Sequence, residues 1–237
     1  MSKSSRLLIT GGCSFTEESY YKQFGVIAWP RIIADGIGLE LLNVGRGGNN
    51  NQAIENQIID AVNENLDRDP IVMVLWTEST RLNVFDSKSI FLNEIESPGV
   101  DIFPRVSPLE YDYKALKHTL RTIWKTKNFV ENTGNKFFHT MGLHSVTRII
   151  KVNEKDLAET YLSELYQYNK VIDKIRNDWY FNQLDIPLNI FEFGINFSED
   201  ERLECGHPNQ KGHEKIAEMF IDKYLKDIQP TQRFVYD

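Results

Sequence analysis

Ser14, in the run Gly11-Gly12-Cys13-Ser14-Phe15-Thr16, and His207, in the run Glu204-Cys205-Gly206-His207-Pro208-Asn209, are the side chains best suited to act as nucleophile and base. A serine hydroxyl is a weak nucleophile until a neighbouring base takes its proton, and imidazole is the side chain whose ordinary pKa suits that task. A serine on a sharp strand-to-helix turn projects its hydroxyl from the top of a sheet, with its N–H toward a developing oxyanion. Glu204 stands three residues before His207. A short irregular turn there would bring its carboxylate to one ring nitrogen and leave the other to accept a proton. A third segment, Asn43-Val44-Gly45-Arg46-Gly47-Gly48-Asn49, runs into a predicted helix. A glycine N–H at a helix start is a natural second donor.

Those residues need strands and helices to bring them together. Arg6–Thr10 is a short apolar run stopped by Gly11-Gly12, which suits a buried parallel strand. Trp29 to Ile37 reads as a helix with Pro30 in its first turn and Gly38 as its stop. Leu39–Val44 is a second strand, and Gln52 to Leu66 a helix that buries Ile54, Ile58, Ala61 and Val62. Ile71–Trp76 is the clearest buried strand. Strand and helix in alternation with short joints imply a parallel sheet covered on both faces, with chemistry at the carboxyl ends of its strands. Gly11–Thr16, Gly45–Asn51 and Thr77–Arg81 leave those ends.

The rest of the chain is less regular. Residues 82–110 hold Pro98, Pro104 and Pro108 and read as a long loop or lid. Tyr111 to Val130 reads as a helix whose Lys114, Lys117, Arg121 and Lys125 form a solvated face. Lys136–Met141 is a fourth strand, Glu154 to Trp179 a long helix and Leu188–Phe193 a last strand. A C-terminal helix opens at Pro208-Asn209, with Asn209 as cap, and carries the stripe Ile216, Ala217, Phe220, Ile221, Tyr224 and Leu225. Residues 228–237 read as a tail. The expectation is a single domain over 1–237 with an insertion at about 82–185 that overhangs the strand ends. Its aromatics, Phe85, Phe91, Phe103, Tyr111, Tyr113, Trp124, Phe129, Phe137 and Phe138 among them, are divided between core and substrate pocket.

Composition narrows the function. The chain has 237 residues, 41% hydrophobic and 26% charged, with a net charge of −7. Those values exclude disorder, and the acidic balance argues against a nucleic-acid partner recruited by bulk positive charge. No apolar run is long enough to span a bilayer, and the first residues lack a signal-peptide core. A cytoplasmic location is expected, with association to a virion as the second option. Two cysteines, Cys13 and Cys205, make neither a disulfide framework nor a zinc cluster. His139 and His144 read as structural, and His213 as lying on a helix flank.

Taken singly these motifs are weak, but their order resembles that of the SGNH (GDSL-like) hydrolases, from Leu7 to about Leu225. Gly12-Cys13-Ser14 stands where that family has Gly-Asp-Ser. Asn43 and Gly48 match its second block, and Glu204 to Asn209 match its Asp-x-x-His-Pro-Asn. The flavour of the motifs is similar to that of a branch encoded by tailed bacteriophages. The resemblance implies a three-layer, flavodoxin-like α/β sandwich with a central parallel sheet. It also implies a serine esterase with the triad Ser14, His207 and Glu204, with oxyanion donors at Ser14 and Gly48, and with no metal or organic cofactor. The implied substrate is a small-molecule or glycan ester, an O-acetyl group being the favoured class. The sequence departs from the family after the third strand, where Glu78 falls near the position of an oxyanion asparagine. An ionised carboxylate donates no hydrogen bond. Three outcomes are open: Glu78 pairs with Arg81 and faces away; Thr77, Ser79 or an amide of Asn49, Asn50 or Asn51 replaces the donor; or the site no longer catalyses. The alternative is a non-catalytic carbohydrate-binding or structural viral module on the same scaffold. An α/β-hydrolase elbow would need Gly-x-Ser-x-Gly, and a dinucleotide fingerprint would need a glycine where Asn50 stands.

Overall fold

Leu7–Gly12 (β1) and Ile71–Trp76 (β3) are buried along their whole length, as runs of six residues without a charge should be in the middle of a parallel sheet. The computed structural model describes residues 6–79, 81–85, 88–91, 108–142, 170 and 172–228. β1 pairs in parallel with Glu40–Asn43 (β2) on one side and with β3 on the other. Lys136–Met141, labelled β6 below, adds to β3, giving the order β2-β1-β3-β6. Successive side chains of a strand point to opposite faces. Leu7, Ile9, Val72, Val74 and Trp76 therefore pack on one face, against Asn51–Asn63 (α3) and Pro108–Asn132 (α4). Leu8, Met73, Leu75 and Phe138 pack on the other, against Trp29–Ile37 (α2) and the C-terminal helix. This is the α/β sandwich expected from the sequence, with helices on both faces of a parallel sheet.

Local chemistry explains the boundaries. Pro30 sits in the first turn of α2, and Gly38 ends it in the left-handed conformation, at φ 68°. Asn50 caps α3 by accepting the Ala53 N–H at 2.8 Å. Asn209 does the same for the C-terminal helix, taking the N–H groups of Lys211 and Gly212 at 3.0 and 3.3 Å.

Three expectations are corrected. Within residues 82–110, Arg81–Phe85 (β4) and Lys88–Phe91 (β5) form an antiparallel hairpin, so part of that stretch is sheet; 92–107 lie outside the described residues. The long helix expected to Trp179 stops earlier. Asp178 accepts the N–H groups of Tyr180 and Phe181 and starts a separate short helix, Trp179–Asn182 (α5); residues 154–169 lie outside the described ones. Leu188–Phe193 is a helix (α6), opened by Pro187 and closed at Gly194 with φ 67°. The parallel sheet of the described residues therefore has four strands. A short apolar run is ambiguous between strand and helix, and here a proline in front favours the helix. The last element is Gln210–Ile228 (α7). No helix among the described residues is long and apolar enough to cross a membrane.

α7 is fixed to α2 by two contacts. Trp29 stacks on Phe220 with ring centroids 4.8 Å apart. The Trp29 N–H, one of the helix-start amides without an intrahelical acceptor, donates to His213 Nδ1 at 3.2 Å. His213 is fully buried, not on the flank, and its ring meets that of Tyr21 edge to face at 4.0 Å. Burial pushes its pKa down to about 3. In the unfolded chain a histidine titrates near ~6.5. Below that pH the unfolded chain binds a proton that the folded chain refuses, so stability falls as the pH drops from 6.5 toward 3, by up to ~1.4 kcal/mol per pH unit. His139, buried beside Phe137 and also held well below the usual range by burial, contributes with the same sign. The urea midpoint is expected to fall between about pH 7 and about pH 5. His213→Gln, which keeps an acceptor for Trp29, should show a shallower fall; an unchanged slope would mean that His213 is not the group that resists protonation.

Candidate active site

Gly12 is where the site begins. A Cβ there would lie 2.1 Å from Thr16 Oγ1 and 2.8 Å from the Leu75 main-chain oxygen, so only glycine lets the chain leave β1 so close to β3. The turn closes with Thr16 N–H donating to the Cys13 carbonyl at 2.9 Å, and Ser14 stands half-exposed on it. Neighbouring loops are fastened to this turn. The Gly12 carbonyl accepts from Arg46 N–H at 3.2 Å and from Asn49 Nδ2 at 3.0 Å. Asn43 Nδ2 donates to the Thr16 carbonyl at 2.7 Å, while its Oδ1 accepts from Gly45 N–H. The Asn43 of the second motif thus joins the ends of β1 and β2.

His207 comes from the other end of the chain. Its Nε2 lies 3.1 Å from Ser14 Oγ, within the reach needed for a base to take the serine proton. The ring sits between two aromatic side chains. Phe15 meets it edge to face at 5.5 Å, and Tyr20, in the helix Glu18–Lys22 (α1), lies against it at 4.8 Å with a tilt of 39°. Among the described residues no hydrogen bond joins Glu204 to it. Leu203 to Gly206 form a turn closed by the Gly206 N–H on the Leu203 carbonyl at 2.8 Å, with Gly206 at φ 82°. Glu204 and Cys205 are its exposed corner residues, and Cys205 Sγ lies 3.4 Å from Tyr20 Oη. Cys13 is buried, and both cysteines are free thiols.

Hydrogen bonding sorts the candidate donors. Thr77 N–H donates to Asn51 Oδ1 at 2.9 Å, and Asn51 Nδ2 donates to the Thr77 carbonyl and Thr119 Oγ1, at 3.0 and 3.3 Å. Asn49 Nδ2 donates to Gln57 Oε1 as well as to Gly12. Asn49, Asn51 and Thr77 therefore hold the loops together. Asn50 is also buried, but its engaged atom is the oxygen, and among the described residues its Nδ2 donates to nothing. Nor do the N–H groups of Ser14 and Gly48, the latter at φ 80°. Glu78 is half-buried beside Thr77, and its expected partner, the Arg81 side chain, lies outside the described residues. Among the described residues no group of three His, Cys, Asp or Glu could hold a metal ion.

Glu17 was not singled out by any motif. Its Oε2 accepts the Gly47 N–H at 2.7 Å and its Oε1 the Ser19 hydroxyl at 2.8 Å. It holds the corner that presents Gly48. A cleft of about 760 Å³ opens beside the site, lined by Phe15, Ile195, Phe197, Gly206 and Met219, with Arg202 among its polar groups. Of the aromatics expected to divide between core and pocket, Trp124, Phe129, Phe137 and Phe138 pack in the two cores, while the side chains of Phe85, Phe91, Phe103, Tyr111 and Tyr113, and His144, lie outside the described residues.

No protein-family model matches the chain, and no curated protein matches it. Solved structures similar to it include TesA, at 10% identity over 94% of this chain and 100% of that one, with a TM-score of 0.47. A catalytic mutant of the acetylxylan esterase Axe2 from Geobacillus stearothermophilus aligns at 11% identity over 93% and 94%, with a TM-score of 0.45. The psychrotrophic esterase EstA from Pseudoalteromonas sp. aligns at 11% over 93% and 99%, with a TM-score of 0.42.

If Glu17 sets the Gly47–Gly48 corner, Glu17→Ala speeds hydrogen exchange at the Gly47 amide roughly tenfold, the effect of one charge-assisted hydrogen bond. Glu17→Gln keeps an acceptor and stays near wild type. Equal exchange in the alanine variant and wild type would remove Glu17 from this role.

Proposed function

We propose that this protein is a serine hydrolase of ester bonds, in which Ser14 is the nucleophile and His207 the base. The observation that carries this reading is the 3.1 Å contact between His207 Nε2 and Ser14 Oγ at the carboxyl ends of a parallel sheet. Ser14 Oγ attacks the ester carbonyl as its proton passes to His207 Nε2. The tetrahedral oxyanion rests against the N–H groups of Ser14 and Gly48 and the Nδ2 of Asn50. Collapse expels the alcohol, which takes the proton from His207 and leaves an acyl ester on Ser14. Water then attacks that ester, giving its proton to His207, and the acid departs as Ser14 recovers its own. The substrate class is an ester on a small molecule or glycan, with a sugar O-acetyl group the first to test. The acidic net charge of −7 supports the absence of a nucleic-acid partner.

Two experiments test this. A fluorophosphonate probe should label wild type and not Ser14→Ala, and the variant should lose turnover of short-chain aryl and sugar acetates. A wild type that resists the probe and hydrolyses no ester would leave a binding module in place of an enzyme.

Asn50 has a test of its own. Asn50→Asp keeps the oxygen that caps α3 but replaces the donor with an acceptor. Loss of one oxyanion donor typically costs ~2.7–4 kcal/mol, so kcat should fall by roughly 10²–10³ with thermal stability preserved. A near-normal kcat in a folded variant would exclude Asn50 from the oxyanion site.

A further inference from the structure

We propose that Tyr20 is a positioning residue for His207: its ring, anchored at the hydroxyl by Cys205, lies against the imidazole and stabilises the imidazolium formed when Ser14 gives up its proton. The inference rests on the hydrolase reading for its catalytic meaning, but not for its geometry. Tyr20 is half-buried in α1, with its ring centroid 4.8 Å from that of His207 and a tilt of 39°. A cation within about 6 Å of an aromatic centroid is attracted by the ring quadrupole. The edge-to-face ring of Phe15 holds the imidazole from a second direction, and Phe15 is itself braced by Phe197 at 6.0 Å.

Tyr20 is held by a contact across 185 positions of sequence, between its Oη and Cys205 Sγ at 3.4 Å. Cys205 belongs to the turn that delivers His207, so a single fold of chain fixes both the base and the ring against it. The thiol is shifted below its usual range, first by the Tyr20 hydroxyl and then by the His207 main-chain N–H, which fits a phenol donating to sulfur. Among the described residues, His213 in α7 acts electrostatically on the imidazole, and Cys205 with its neighbour Glu204 lies on the turn that carries it.

The test reads the imidazole directly and needs no substrate. In a nitrogen-15 NMR titration, His207 of Tyr20→Leu should titrate at lower pH than in wild type, because the cation has lost its aromatic face. Tyr20→Phe, which keeps the ring, should titrate close to wild type, and Cys205→Ala should fall between. On an ester, Tyr20→Leu should lose about tenfold in kcat with KM within about twofold, and the acid limb of its pH profile should move down with the imidazole. Tyr20→Phe should recover most of the rate. A His207 titration that is unmoved or raised in Tyr20→Leu overturns the proposal whether or not the protein turns over. A wild type without esterase activity, but with the expected titration shift, overturns the hydrolase reading and leaves the clamp standing.

Discussion

The Leu75 carbonyl and the Thr16 side chain leave no space for a Cβ at Gly12, and the whole site takes its shape from that close approach. β1 lies between β2 and β3 with every residue buried, so its end cannot drift sideways. The chain must leave the sheet upward, and Ser14 is carried there with it. The Gly12 carbonyl, left without a strand partner above it, becomes the acceptor that draws in Arg46 N–H and Asn49 Nδ2 from the next loop. One steric constraint in the core therefore places two of the site's three loops.

The base is placed by different means. His207 precedes α7, and α7 is seated on α2 through the Trp29–Phe220 stack and the Trp29–His213 hydrogen bond. Both contacts lie on the face of the sheet opposite α3 and α4. The loop that carries Asn50 and Asn51 begins α3 on the other face, and the Asn51 side chain ties back to the end of β3 at Thr77. Nucleophile, base and amide-rich loop thus converge from both layers over the same strand ends. None of them is held by its sequence neighbours alone.

Much of this was legible in the residues. The runs at Leu7–Gly12 and Ile71–Trp76, bounded by Gly11-Gly12 and by Asp69-Pro70, read as buried strands, and Pro30 and Gly38 bracket α2 by their own backbone chemistry. His213 could have been placed inside, since it stands three residues before Ile216 and four before Ala217 on the stripe that α7 buries. Leu188–Phe193 was misread because six apolar-rich residues do not fix a period, and tertiary packing decides between strand and helix. The Tyr20–Cys205 contact and the Glu17–Gly47 hydrogen bond had no local signal at all, as each depends on loops brought together by the sheet. Glu204 illustrates the converse: spacing put a carboxylate near a histidine, but in the turn closed by Gly206 it is an exposed residue.

The amides around Ser14 carry the last distinction. Asn49, Asn50 and Asn51 look interchangeable in sequence, yet the outer two use their nitrogens to join loops while the middle one uses its oxygen to cap a helix. A cap needs only an acceptor, so capping leaves the Asn50 amide hydrogens unassigned, whereas bridging leaves none. The same division separates Gly47 from Gly48: the first N–H is bound by Glu17, and the second, past a left-handed turn, is not drawn to any described acceptor. Most donors along this loop are thus fixed to the scaffold, and two, the Gly48 N–H and Asn50 Nδ2, have no described acceptor. A loop built this way is held by its many engaged donors, and receptive to an anion through the two that are not.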